Sequence, residues 1–262
     1  MEIDIFQIDA FTSTVFGGNP AAVCPLKEWL PDEILLNIAK ENNLAETAYF
    51  VHEGGNNFHL RWFTPEIEMD LCGHATLASA YVIFNYLDYN LSEINFDSAS
   101  GVLIVRQSGS QIEMNFPSRP PSKSQLPEVI SQSLSIQPQE VFKARDFMLI
   151  YGSQEDIQQL KVNASQLAHI NLDPGGIIVT AKGKNSDFVS RFFTPGASVF
   201  EDPVTGSAHC TLVPYWAKIL NKQELKAIQL SDRQGELSCR LQNNRVYIKG
   251  TAIKYLKGKI EI

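Results

Sequence analysis

The chain has 262 residues, of which 44% are hydrophobic and 19% charged, an ordinary globular composition with enough length for two compact domains of about 100 to 150 residues each. A net charge of −7 with scattered basic residues argues against a nucleic-acid or acidic-membrane surface, and no apolar run approaches the ~18 residues a membrane helix needs. The opening MEIDIFQIDAF lacks a basic segment followed by an apolar core, so a cytoplasmic protein acting on a small molecule is expected.

Ile3, Ile5 and Ile8 alternate as in a strand, and Gly17-Gly18-Asn19-Pro20 turns the chain into a second strand at 21–26. That turn has neither the GxGxxG pattern nor a following Gly-Lys-Ser/Thr, so it is no nucleotide cradle. Pro31-Asp32-Glu33 reads as a helix first turn, with the stop at Asn42-Asn43. Glu46 follows, between that stop and the strand-like run Tyr49-Phe50-Val51. Gly54 to Asn57 forms a hairpin turn, which places His52 and His59 at the surface. Further strands are expected at 93–97, 101–106 and 111–116. Pro117 to Ser124, rich in Pro and Ser, is the most linker-like stretch, and the domains are set at 1–117 and 128–262, with a last strand free to cross back into the first. In the second half, helices are expected near 129–134 and 155–160. Strands are expected in 141–150, at 177–181 after Pro174-Gly175-Gly176, and at 188–193. The chain closes with strands at 236–241, 245–249 and 251–262.

The two halves repeat one another. Arg61-Trp-Phe-Thr-Pro65 recurs as Arg191-Phe-Phe-Thr-Pro195, and each copy leads to a glycine, Gly73 or Gly206, that opens an apolar helix. A repeat half a chain long is a duplicated domain rather than a solenoid. Leu77, Ala78, Tyr81, Val82, Ile83 and Phe84 leave the first helix almost no polar face, so it is expected to be buried. Its first N–H groups then need an acceptor, and an anionic ligand suits the positive end of the dipole. The expected class is α+β, with two pseudo-symmetric domains, each a mainly antiparallel sheet or open barrel wrapped around a central helix, and a site between them.

Cys24, Cys72, Cys210 and Cys239 show no CxxC spacing, and His52, His59, His74, His169 and His209 show no metal spacing, so reduced thiols and no metal are expected. Taken singly, Glu46 is as ordinary as any loop acid, His74 is a candidate helix cap, and Asp202 before Pro203 is a common turn.

The stretches GGNPAAV at 17–23, NLAETAYF at 43–50, LCGHAT at 71–76 and EDPVTGSA at 201–208 resemble, in order and across both halves, the PhzF-like phenazine-biosynthesis isomerases. The resemblance implies a diaminopimelate epimerase-like fold, a homodimer, no cofactor, and a small carboxylate substrate. It implies catalytic roles for Glu46, His74 and Asp202, with Glu46 moving a proton between carbons. Gly73, Ala75, Gly206 and Ser207 are then substrate-binding. His209 stands where an alanine-like residue is expected. A thiol-type epimerase or racemase is disfavoured, because Cys72 precedes Gly73 but its counterpart before Gly206 is Thr205, a poor base. A non-catalytic small-molecule or partner-binding protein retaining the fold is the reading from another class.

Overall fold

The computed structural model describes every residue except His169, Asp173 and Pro174. The turn expected at Pro174 and the isolated His169 therefore fall, in part or whole, outside the described residues. Two compact units are present, Met1–Phe116 together with Tyr247–Ile262, and Pro117–Val246.

In the first unit, β1 (Glu2–Ala10), β2 (Asn19–Leu26), α1 (Asp32–Asn42), β3 (Glu46–Gly54), β4 (Asn57–Phe63), β5 (Glu68–Met69), α2 (Gly73–Tyr86), β6 (Glu93–Asp97), β7 (Leu103–Ser108) and β8 (Gln111–Pro117) follow in order. Most neighbours are antiparallel, but β2–β3 and β4–β6 are parallel. Parallel neighbours need a crossover, and α1 and α2 supply the two. Asn43 ends α1 in the left-handed region, φ 48°, and gives its N–H to Ala39. The α2 residues Gly73 through Ala80 are all buried, which is why a near-continuous apolar run reads as a helix with no wet face.

The second unit runs β9 (Ser122–Lys123), α3 (Glu128–Ser133), β10 (Glu140–Lys143), β11 (Phe147–Ile150), α4 (Gln154–Gln159), α5 (Ala164–Leu167), β12 (Ile177–Lys182), β13 (Phe188–Phe193), β14 (Glu201–Asp202), α6 (Gly206–Leu220), β15 (Glu224–Gln229) and β16 (Gly235–Gln242). It repeats the plan. The pairs β11–β12 and β13–β15 are parallel, spanned by α4–α5 and by α6. After it come β17 (Arg245–Gly250) and β18 (Ala252–Glu261), and β18 returns to pair antiparallel with β1 along nine residues of that strand.

Some expectations change. The stretch read as linker is partly sheet: Ser122 and Lys123 pair with Lys143 and Phe142, and residues 118–127 belong to the second unit. Strand β15 was not anticipated, although Leu225, Ala227 and Gln229 alternate inward along it. His59 is no surface residue: it is half-buried, accepts from Trp29 Nε1 at 3.1 Å, and meets that ring edge-on.

The repeated arginines clamp the loop before each apolar helix. Arg61 binds Glu68 through two nitrogens at 2.7 and 2.6 Å, and Arg191 binds Glu201 in the same way at 2.7 and 2.8 Å. The glutamates lie on β5 and β14, each two residues long, and a two-nitrogen fork fixes such a short strand in angle as well as distance. Each guanidinium also lies about 5 Å over the phenylalanine two residues on, at 5.1 Å from Phe63 and 5.0 Å from Phe193.

Candidate active site

The first unit gathers four side chains at the start of α2. Glu46 is the first residue of β3 and pairs with Ala21 of β2, while Asn19, the first residue of β2, pairs with Ala10. Positions 19 and 21 are two apart on one strand, so they present the same face, and Glu46 stands beside them. His74, one residue inside α2, reaches that face. His74 Nε2 lies 3.1 Å from Glu46 Oε2, and His74 Nδ1 is 3.1 Å from Asn19 Nδ2 and 3.5 Å from Cys72 Sγ.

The contact between Glu46 and His74 is close but not satisfied. Both Oε2 and Nε2 are buried, and neither makes an aligned hydrogen bond despite their separation. Buried polar atoms left in this state are uncommon and concentrate at functional sites, where alignment tightens when substrate binds. Glu46 keeps 15% of its side-chain area exposed while His74 keeps 4%, so the carboxylate is the member a substrate reaches.

Burial is the largest influence on the His74 imidazole and favours its neutral form; the Glu46 carboxylate opposes it, and the next largest influence after burial, a charge on Cys72, is absent while that thiol keeps its proton. Burial first, and Glu46 second, push the Cys72 thiol up to about 11, so near neutrality Cys72 carries its proton. That makes Cys72 a poor nucleophile and a poor base.

Sequence spacing showed no metal set, yet the fold brings single donor atoms of Glu46, Cys72 and His74 within 4.8 Å of one another.

The second unit builds the start of α6 with different chemistry. Thr205, the residue before Gly206, directs its hydroxyl to Asp202 Oδ2 at 2.5 Å, and its N–H is taken by Gln229 Oε1 at 2.9 Å. Gln229, fully buried on β15, also donates to the Asp202 carbonyl at 2.7 Å. This glutamine escaped the sequence reading along with its strand; the inward alternation of Leu225, Ala227 and Gln229 was the available signal. Ser207 is half-buried one residue into the helix, and Gly206 and Ala208 are buried. His209 donates from Nδ1 to the Thr205 carbonyl at 2.9 Å, and burial lowers its pKa to about 4, so it is neutral in use.

Neither helix start is capped by its own side chains. Cys72 and Thr205 offer no capping hydrogen bond, and neither first turn contains an acid. The N–H groups of Gly73 in α2 and of Gly206 and Ser207 in α6 thus lead helices without a side-chain cap, while the Ala75 N–H lies against the Cys72 sulfur.

Compared with known proteins, the chain matches the family model described as phenazine biosynthesis-like protein over residues 8–258. An uncharacterized isomerase of Pseudomonas aeruginosa is 45% identical over 262 residues, with the whole of both chains covered. A crystal structure of a phenazine biosynthesis protein of the PhzF family from Enterococcus faecalis matches with a TM-score of 0.95 and 43% identity over 100% of each chain. A predicted epimerase from Pseudomonas aeruginosa, 19% identical, matches with a TM-score of 0.76 over 98% of this chain and 99% of that one, a likeness of fold.

Proposed function

The chain belongs to the phenazine biosynthesis-like family and is an isomerase, and we propose that it moves a proton between two carbons of a small carboxylate substrate with Glu46 as the base and then the acid. The observation that carries this reading is the pair of buried, unaligned atoms Glu46 Oε2 and His74 Nε2 at 3.1 Å, beside a helix start without a side-chain N-cap. The substrate carboxylate accepts from the first N–H groups at the positive end of α2, and Asp202, with Gly206 and Ser207 at the start of α6, takes the catalytic and binding roles that the family resemblance implies. With its charge held there, a C–H of the substrate meets the exposed side of Glu46, which removes the proton and returns it to a second carbon. The Nε2–H of His74 steadies the Glu46 carboxylate before the proton is taken and again after it is returned.

No cofactor enters this cycle, since one carboxyl group both takes and delivers the proton. Dialysis against a chelator is expected to leave turnover unchanged, and activity lost to the chelator and restored by a metal would contradict it. The protein is proposed to work as a homodimer in the cytoplasm, in keeping with the family resemblance. Light scattering that gives 29.3 kDa at micromolar concentration would overturn the dimer. No helix among the described residues is long and apolar enough to cross a membrane.

The deciding experiment is solvent-deuterium incorporation into a panel of small carboxylates with an acidic C–H, for the parent, Glu46→Gln and Cys72→Ser. Glu46→Gln keeps the shape and removes the titrating group, so exchange should fall by about 10² to 10⁴-fold. Cys72→Ser should stay within a few-fold of the parent, as a buried thiol with its pKa pushed up to about 11 predicts. The reverse pattern would favour the thiol epimerase, and no exchange by the parent on any carboxylate would favour a non-catalytic binder.

A further inference from the structure

Glu46 Oε2 is met by a hydrogen-bond donor only if the His74 proton sits on Nε2, and an isolated imidazole places it on either nitrogen. Something must choose. The groups around Nδ1 are the candidates. Asn19 Nδ2, on a residue with no solvent exposure, lies 3.1 Å from it, and Cys72 Sγ lies 3.5 Å away. A carboxamide nitrogen can only donate, so Asn19 Nδ2 presents a hydrogen to that ring nitrogen, and the protonated Cys72 thiol is able to do the same. Nδ1 is then an acceptor, and the ring hydrogen is left on Nε2.

The backbone shows how Asn19 is held there. Gly18, immediately before it, takes φ 61°, and a Cβ at that position would lie 2.1 Å from the Ala10 carbonyl oxygen, so only glycine completes the turn. Asn19 then enters β2 opposite Ala10 with its side chain on the face shared with Ala21 and, across the next pair, Glu46. The sequence marks Asn19 as one more turn residue; the fold gives it a ring nitrogen to hold.

We infer that Asn19 is a positioning residue for the proton transfer proposed above, fixing His74 in the tautomer whose Nε2–H faces Glu46 Oε2. The inference rests on the assignment of Glu46 as the proton carrier, but its core claim concerns only the ring. With Oε2 facing His74, the other carboxylate oxygen is the one that meets the substrate C–H, so the tautomer decides which oxygen carries the proton. Asn19 itself touches neither substrate nor the moving proton.

The test is ¹⁵N NMR of histidine-labelled protein, with the His74 signals identified by their loss in His74→Gln, recorded for the parent, Asn19→Asp and Asn19→Ala. The parent should show Nδ1 unprotonated and Nε2 protonated. Asn19→Asp, nearly the same shape but with acceptors only, should place a proton on Nδ1. Asn19→Ala, which removes the donor without supplying an acceptor, should mix the two tautomers, and it keeps the question answerable if the buried acid in Asn19→Asp prevents folding. In deuterium exchange, the variants should lose about 10²-fold in kcat with KM within a few-fold of the parent, because orientation and not binding is disturbed. A parent spectrum with the proton on Nδ1, or Asn19 variants with unchanged tautomer and kcat, would overturn the inference. If the tautomer responds as described but the parent exchanges no carboxylate, Asn19 keeps its role toward His74 and the isomerase mechanism falls instead.

Discussion

The start of α2 and the start of α6 are one device written twice. Both open with a glycine, both follow an Arg–Glu clamp, and in both a side chain four residues on binds the carbonyl of the residue before the glycine: Thr76 Oγ1 to Cys72 at 2.5 Å, His209 Nδ1 to Thr205 at 2.9 Å. The chemistry between these fixed points differs. In the first copy the position before the glycine is a thiol that leaves His74 free to meet Glu46. In the second it is a hydroxyl spent on Asp202, and His74 is replaced by Ser207. The strand positions diverge as well. Thr47 pairs with Phe63 as Ile177 pairs with Phe193, so the counterpart of Glu46 is Gly176, whose N–H is bound by the buried Asp146 at 2.8 Å. Duplication thus supplied two equal scaffolds, and one copy holds the proposed proton carrier while the other holds a braced polar loop. His209, an oddity in the motif, is explained by the same comparison: it does the hydrogen bonding of Thr76.

The largest expected effect separates the roles of the two copies. Glu46→Gln should lower kcat by about 10² to 10⁴-fold with binding retained, whereas Asp202→Asn should cost about 10 to 10²-fold in kcat/KM with a share in KM. Equal losses confined to kcat in both variants would mean that both copies carry the proton.

Next comes a stability test at position 209. Burial holds the His209 pKa at about 4 against about 6.5 for the unsupported group, so in between the unfolded chain binds a proton that the folded chain refuses. Stability therefore falls as pH drops from 6.5 to 4, by up to about 3 kcal/mol from this residue. His209→Thr, copying the first half, should flatten that part of a urea-denaturation series against pH, even if the smaller side chain lowers stability throughout. A slope unchanged in the variant would remove His209 as the acid-sensitive group.

Gly176→Ala probes why the second copy has no side chain at the position equivalent to Glu46. A Cβ there would lie 2.5 Å from the Phe192 ring and 2.7 Å from the Phe193 carbonyl oxygen, so a loss of about 1 to 3 kcal/mol in denaturant unfolding is expected. The smallest effect belongs to the shared carbonyl bond. Thr76→Val keeps the shape and removes the donor, for about 1 kcal/mol, and a loss no larger than scatter would show that the carbonyl finds another partner.

How much of this was legible in the chain depends on the range of the interactions. The duplicated motif, the buried helix starts, the stop at Asn43 and the position of Glu46 at a strand edge follow from local pattern: repeat, periodicity, capping and turn chemistry act within a few residues. The α+β class followed from the order of strands and helices in the two halves, and the family from four ordered motifs. The short strand at Ser122–Lys123 and the strand carrying Gln229 were not legible, because two residues show no period and a strand among polar residues is recognised by what it pairs with. Tertiary structure alone decided that Asn19, Glu46, Cys72 and His74 meet. The first three lie in a turn, at a strand start and before a helix, each unremarkable in its own neighbourhood, and parallel pairing of β2 with β3 puts the first two on one face above the start of α2. It also decided that Cys72 is a thiol with its pKa pushed up to about 11 rather than a reactive thiolate, since reactivity depends on burial and neighbouring charge, which spacing along a chain does not encode.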